Sequence, residues 1–129
     1  MITVYSKSVD GNKQLSKNFK VREFACSDNS DIVLIDDKLI TILQIVRNYF
    51  NTPVTIGSGY RTVQFNRTID GATNSQHIYG KAADINVAGK TPQEVYNFLD
   101  KICADSYGLG IYSTWVHIDT RETKSRWKG

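Results

Sequence analysis

Ser75-Gln76-His77-Ile78-Tyr79-Gly80-Lys81-Ala82-Ala83-Asp84-Ile85-Asn86-Val87 is the stretch on which the reading of this chain turns. Its second half, Ala82 to Val87, mixes small and β-branched side chains with one carboxylate, Asp84, and reads as a buried strand. Its first half places His77 seven positions before Asp84, on a loop. Gly80 and the alanines at 82 and 83 leave room for the chain to bend back, so the imidazole and the carboxylate can reach one ion. The chain has only one other histidine, His117, inside Trp115-Val116-His117-Ile118-Asp119. Two neutral imidazoles and one carboxylate, with a fourth position open, form the ligand set of a catalytic zinc site. His77, Asp84 and His117 are therefore the candidate ligands and Zn2+ the expected cofactor.

Working outward, Leu39, Ile40, Leu43, Val46 and Phe50 recur at helical spacing, and Asp36 or Asp37 suits the N-cap. Pro53 follows that helix, and Val54-Thr55-Ile56 reads as a short strand before a tight turn at Gly57-Ser58-Gly59. Thr91-Pro92-Gln93-Glu94 is a capping box with proline at the first helical position. Val95, Phe98, Leu99 and Ile102 then supply one apolar face. Leu109 to Tyr112 and Trp115 to Thr120 read as a strand pair joined around Ser113-Thr114. Alternation along the second strand puts Trp115, His117 and Asp119 on one face and Val116 and Ile118 on the other. From Arg121 onward a basic, solvated tail is expected, with Trp127 folded back or loose. Helices and antiparallel strands mix without a regular βαβ rhythm, which gives an α+β class: a small antiparallel sheet with packed helices.

At 129 residues the chain is one domain, 1–129, long enough to bury most of its apolar surface. Sixteen basic against thirteen acidic side chains leave a formal charge of +3. The basic residues are scattered rather than gathered in a stripe, so nucleic acid is not an expected partner. A modest attraction to an anionic polymer such as a bacterial cell wall fits better. Two cysteines, Cys26 and Cys103, make no disulfide framework and no thiolate zinc site. Met1 to Lys7 lacks the basic start and apolar run of a signal peptide, and no stretch approaches a membrane span. The expected location is the cytoplasm as synthesised, with a lytic or phage route as the way out to the wall.

Ser75-x-His77-x-x-Gly80-x-Ala82-x-Asp84, with the later His117 and an upstream Ser58-Gly59-Tyr60-Arg61, resembles the zinc D-Ala-D-Ala carboxypeptidase family. The similarity runs from Phe19-Lys20-Val21-Arg22-Glu23-Phe24 through Val116-His117-Ile118-Asp119-Thr120-Arg121. That family holds peptidoglycan D,D-carboxypeptidases, D,D-dipeptidases and L-alanyl-D-glutamate endopeptidases of bacteria and phages, endolysins among them, and shares its fold with the hedgehog signalling domain. The resemblance implies a hedgehog/DD-peptidase-like fold, a monomer, zinc on His77, Asp84 and His117, and hydrolysis of peptidoglycan stem peptides. It implies that Arg61 faces the scissile carbonyl, where a guanidinium stabilises developing charge. Ser75 and Tyr60 fall at positions near the substrate.

One departure matters. Better-known members place an acidic residue three positions before the last histidine as general base, and here that position is Thr114. Asp119, two residues beyond His117 and on its face, is expected to act either as a substitute base or as a carboxylate orienting a ligand histidine. Thr114 also keeps a second class open, a non-catalytic zinc-containing module that binds cell wall. A third reading, the facial triad of a non-haem iron oxygenase, needs an all-β double-sheet barrel, for which two helices leave too little chain.

Overall fold

The alternation along Val116–Asp119 and the apolar run along Ala82–Val87 become neighbouring strands of one sheet in a computed structural model that describes residues 1–129. Along the chain run β1 (Ile2–Ser6), a single turn α1 (Lys7–Asp10), β2 (Gln14–Ser16), β3 (Phe19–Lys20), β4 (Ile32–Asp36), α2 (Asp37–Phe50) and β5 (Val54–Ser58). They are followed by α3 (Val63–Thr68), β6 (Ala82–Val87), α4 (Pro92–Cys103), β7 (Gly108–Ile111), β8 (Val116–Asp119) and β9 (Ser125–Lys128). Two 3-10 turns, Val21–Phe24 and Gln76–Tyr79, complete the order.

The main sheet has five strands in the order β5-β6-β8-β7-β9, antiparallel throughout except for the parallel β7/β9 pair. Strands β1 and β4 form a separate antiparallel pair, and β2 and β3 another. The class is α+β, as the mixed pattern implied.

Both long helices start where their sequences say. Asp36 accepts from the Lys38 N–H at 3.3 Å to open α2. At α4 the reciprocal box closes, with Thr91 Oγ1 accepting from Glu94 N–H and Glu94 Oε1 accepting from Thr91 N–H, each at 3.1 Å. Leu39, Leu43 and Val46 of α2 and Val95 and Leu99 of α4 pack with Ala83, Ile85, Leu109, Val116 and Ile118 of the sheet in one core. Each such leucine or isoleucine contributes roughly 1.5–3 kcal/mol by leaving water. One expected core position is displaced: Ile102 is 39% exposed and Cys103 is buried in its place. From Leu99, the stripe on α4 continues at i+4 rather than i+3.

The tail departs most from expectation. Residues 125–128 are not solvated chain but a fifth strand, laid parallel to β7 with Gly110 beside Trp127. Both cysteines are buried free thiols. Burial pushes the Cys103 thiol up to about 11.

Candidate metal centre

The sheet register lines up one row of residues on a single face. Ser58 of β5 opposes Asp84 of β6, Asp84 opposes His117 of β8, His117 opposes Gly110 of β7, and Gly110 opposes Trp127 of β9. Side chains alternate along a strand, so Ile85, Val116 and Ile118 fill the helix-covered face while Asp84 and His117 occupy the other. Gly110 lies between His117 and Trp127 in this row. A Cβ there would meet the indole ring, so only glycine lets Trp127 lie flat across β7.

His77 arrives from outside the sheet, on the 3-10 turn Gln76–Tyr79. Ser75 caps this turn, its Oγ accepting from the His77 N–H at 3.2 Å. Gly80 ends it with φ 74°, against the Leu34 carbonyl, where any side chain would collide. The chain then enters β6 and delivers Asp84.

The three donors meet. His77 Nε2 lies 3.4 Å and His117 Nδ1 3.1 Å from Asp84 Oδ1, and one ligand atom from each residue falls within 4.8 Å of the others. Donors about 2.0–2.2 Å from a tetrahedral ion are separated by about 3.3–3.6 Å, so the spacing suits such an ion. The far side of each ring fits as well. His77 Nδ1 is 2.7 Å from the Gly59 carbonyl, which can only accept, so Nδ1 carries a hydrogen and Nε2 is the nitrogen turned towards Asp84. His117 Nε2 is 2.7 Å from Asp119 Oδ2 and donates to it, leaving Nδ1 for the ion. Each ring is thus turned so that the nitrogen a metal requires faces Asp84.

Charge in the metal-free site follows from these contacts. Burial pulls the His117 imidazole down, but its bonds to Asp119 and Asp84 and their charges outweigh this and hold its pKa above the ordinary value. A carboxylate faces each nitrogen, which favours the protonated ring beyond the ordinary imidazole range, and a metal would take the place of a proton on Nδ1. Burial opposes ionisation of Asp84, yet the His117 and His77 contacts keep it well below the usual carboxylate range. Asp119 is likewise held low, burial being outweighed by bonds from His117 and Arg121.

The remaining candidates fall into place or out of it. Arg61 is 14% exposed and reaches Asp84 Oδ2 at 3.5 Å. Ser58 Oγ accepts from its Nε at 3.1 Å and Asn66 Oδ1 from its Nη1 at 3.3 Å. Ser75 lines the cavity, whereas Tyr60 does not: it packs against the hydrophobic core. The cause is backbone contact, because Gly59 is pressed on Phe24 and the Tyr60 N–H donates to the Phe24 carbonyl at 2.9 Å. Thr114 is exposed and lies outside the cavity, its carbonyl accepting from Asn86 Nδ2. Asp119 lies beneath the floor of the cavity, its side chain fully buried. Besides His117 it accepts from Arg121 Nε and Nη2 at 2.8 and 2.6 Å and from the Arg121 backbone N–H.

The cavity above the donors holds about 450 Å³. One wall is small and amide-bearing, with Gly71, Ala72, Asn74, Ser75 and Gln76; the other carries Tyr112, Trp115, Arg121 and Trp127. Tyr112 and Trp115 stack at 4.6 Å, and Trp127 Nε1 donates to the Tyr112 hydroxyl at 2.9 Å. A second hollow of about 260 Å³ shares Asp84 and Trp115 and continues over Gly57 and Ser58, so the cleft extends to both sides of Asp84. A slightly larger groove, about 470 Å³ beside Tyr5, Leu15, Ile40 and Ile45, contains no ligand set and is not the site. Sequence reading missed Asn66, Tyr112, Arg121 and Trp127. Only the concentration of tryptophan and arginine in the tail hinted at the last two.

Comparison with known proteins supplies an independent view. A family model described as peptidase M15 matches residues 17–119. A zinc D-Ala-D-Ala carboxypeptidase of Streptomyces albus G is 39% identical over 49 residues, 37% of this chain and 19% of that protein. Among solved structures, a mutant of the vancomycin-resistance D,D-pentapeptidase VanY from a VanB-type cassette, in complex with Zn(II), is 24% identical. It covers 54% of this chain and 56% of its own, with a TM-score of 0.41.

Proposed function

Because the chain belongs to the peptidase M15 family, we propose that it is a zinc-dependent peptidase that hydrolyses peptide bonds in the stem peptides of peptidoglycan. The observation that carries this is the donor set itself: His77 Nε2, Asp84 Oδ1 and His117 Nδ1 converge, each imidazole with its other nitrogen already committed. Zinc held by these three residues would supply Lewis acidity towards the scissile carbonyl and would lower the pKa of a water molecule to about 7.

The rest is the work of this chain's residues. The Gly59 carbonyl and the Asp119 carboxylate orient the two rings, so the donors are in place before substrate arrives. Arg61, tied to Ser58 and Asn66, holds a fixed positive charge beside Asp84, where negative charge grows on a carbonyl oxygen under attack. Ser75 offers a hydroxyl at the cavity wall for the substrate backbone. Of the two roles open to Asp119, orientation of His117 is the better supported. A carboxylate with four donors, no exposure and a depressed pKa is a poor proton acceptor. The hollows on both sides of Asp84 favour cleavage of an internal bond over removal of a terminal residue.

One observation favours a second reading, a zinc-containing module that binds wall peptide without cutting it: Asp84 is the only carboxylate among the thirteen residues lining the cavity. Mass spectrometry of peptidoglycan fragments incubated with the zinc-loaded protein and with His77→Ala separates the two. New fragments that vanish in the mutant support the peptidase, and their masses name the bond. Intact fragments in the presence of stoichiometric zinc would leave the binding module.

A further inference from the structure

Arg121 lies beyond residues 17–119, and nothing in the family match assigns it a task. Its guanidinium is nonetheless less fully satisfied than those of Arg61 and Arg126. Arg126 spends all three nitrogens, on Asp100 and four backbone carbonyls. Arg61 also has a partner for each nitrogen. Arg121 uses Nε and Nη2 on Asp119, and Nη1 has no partner. Its side chain is 31% exposed in the cavity wall, and the guanidinium lies 5.2 Å over the Trp127 ring. The fork is therefore held on one edge by a buried carboxylate and on one face by an indole, with the other edge idle. Such a group takes a further planar anion at little entropic cost.

The charge balance points the same way. The two guanidiniums at the site, Arg61 and Arg121, are cancelled by Asp84 and Asp119, so a divalent ion leaves the loaded cleft with an excess of about two positive charges. No other acidic residue lines it. A neutral substrate would leave that excess uncompensated.

We propose that Arg121 is a specificity residue, whose idle edge binds a free carboxylate of the substrate in the cavity that also holds the metal donors, with Trp127 and Tyr112 forming the adjoining wall. This rests on the peptidase reading for the nature of the substrate but not for the binding itself. A stem peptide offers two sources of such a group, its C-terminal carboxylate and the free carboxylate of its glutamyl residue.

The chain's only two tryptophans, Trp115 and Trp127, both line this cavity, so intrinsic fluorescence reports occupancy without turnover. The probe is the tripeptide L-alanyl-γ-D-glutamyl-L-lysine as free acid, as C-terminal amide and as glutamyl amide. Each form is titrated into the zinc-loaded protein and read within seconds of mixing. One amide should bind about tenfold or more weakly than the free acid, because a charge-assisted bond is lost; which amide it is identifies the source. Arg121→Gln should abolish the discrimination, whereas Arg121→Lys, which keeps the charge, should retain part of it. Equal response to the three forms in the wild-type protein, or none, overturns the proposal. So does a ratio unchanged in Arg121→Gln, the result expected if Arg121 served only to brace Asp119. Discrimination without cleavage would keep the carboxylate site and remove the peptidase reading; cleavage without discrimination would do the reverse.

Discussion

Asp119 shows how a residue can be essential to a site that it does not line. All its donors are protein groups, and its bond to His117 Nε2 leaves Nδ1 aimed at Asp84. Asp119→Asn keeps the shape but weakens the acceptor and permits the wrong tautomer. Zinc affinity should fall about 10–100-fold, with turnover largely restored once zinc is in excess. Competition with a chelator, followed by activity at saturating zinc, checks both halves. Turnover that stays low with zinc fully bound would return Asp119 to the role of base. The grouping of His77, Asp84 and His117 was legible in the sequence because each belongs to a short local pattern, whereas the capping role of Ser75 was not. Asn66 and Tyr60 were not: Asn66 matters only through its contact with Arg61, and Tyr60 is turned towards the core by Phe24, far away in sequence.

At the scale of elements, β9 sets the limit of the sequence reading. The helices α2 and α4 announce themselves through spacing and caps, and β6 runs over the expected residues, because those signals are local. In Ser125-Arg126-Trp127-Lys128 the polar residues hide a strand whose existence depends on a free edge of β7 and on the bare backbone at Gly110. The pairing of β1 with β4 escaped notice for the same reason, its partners lying some thirty residues apart. Trp127 fastens β9 to the sheet through Tyr112, Arg121 and the His117 ring. Trp127→Ala should therefore cost about 2 kcal/mol in stability, a half-buried version of the core penalty, and should also loosen substrate binding. Denaturant unfolding and the fluorescence of the remaining Trp115 read the two effects; a fully stable variant would mean that β9 stays paired without it.

For the whole molecule, folding, metal and proton are linked through His117. In the metal-free protein its raised pKa gives stability that is complete below the unfolded value and is lost as pH rises through the folded one. Metal binding has the opposite sign, because the Nδ1 proton must leave first. As pH rises above the ordinary imidazole range, the melting temperature without zinc should fall while the gain on adding zinc grows. Thermal melts with chelator and with zinc across that range test the linkage; parallel curves would disprove it.

The two imidazoles present opposite nitrogens to the ion, Nε2 from His77 and Nδ1 from His117. Counted in bonds from Cβ, an asparagine amide oxygen stands where Nδ1 stands and a glutamine amide oxygen where Nε2 stands. The two ligands should therefore accept different isosteres. His117→Asn should hold more zinc than His117→Gln, and His77→Gln more than His77→Asn, each far below wild type. The two positions look alike as letters in the sequence, but they should obey reversed substitution rules.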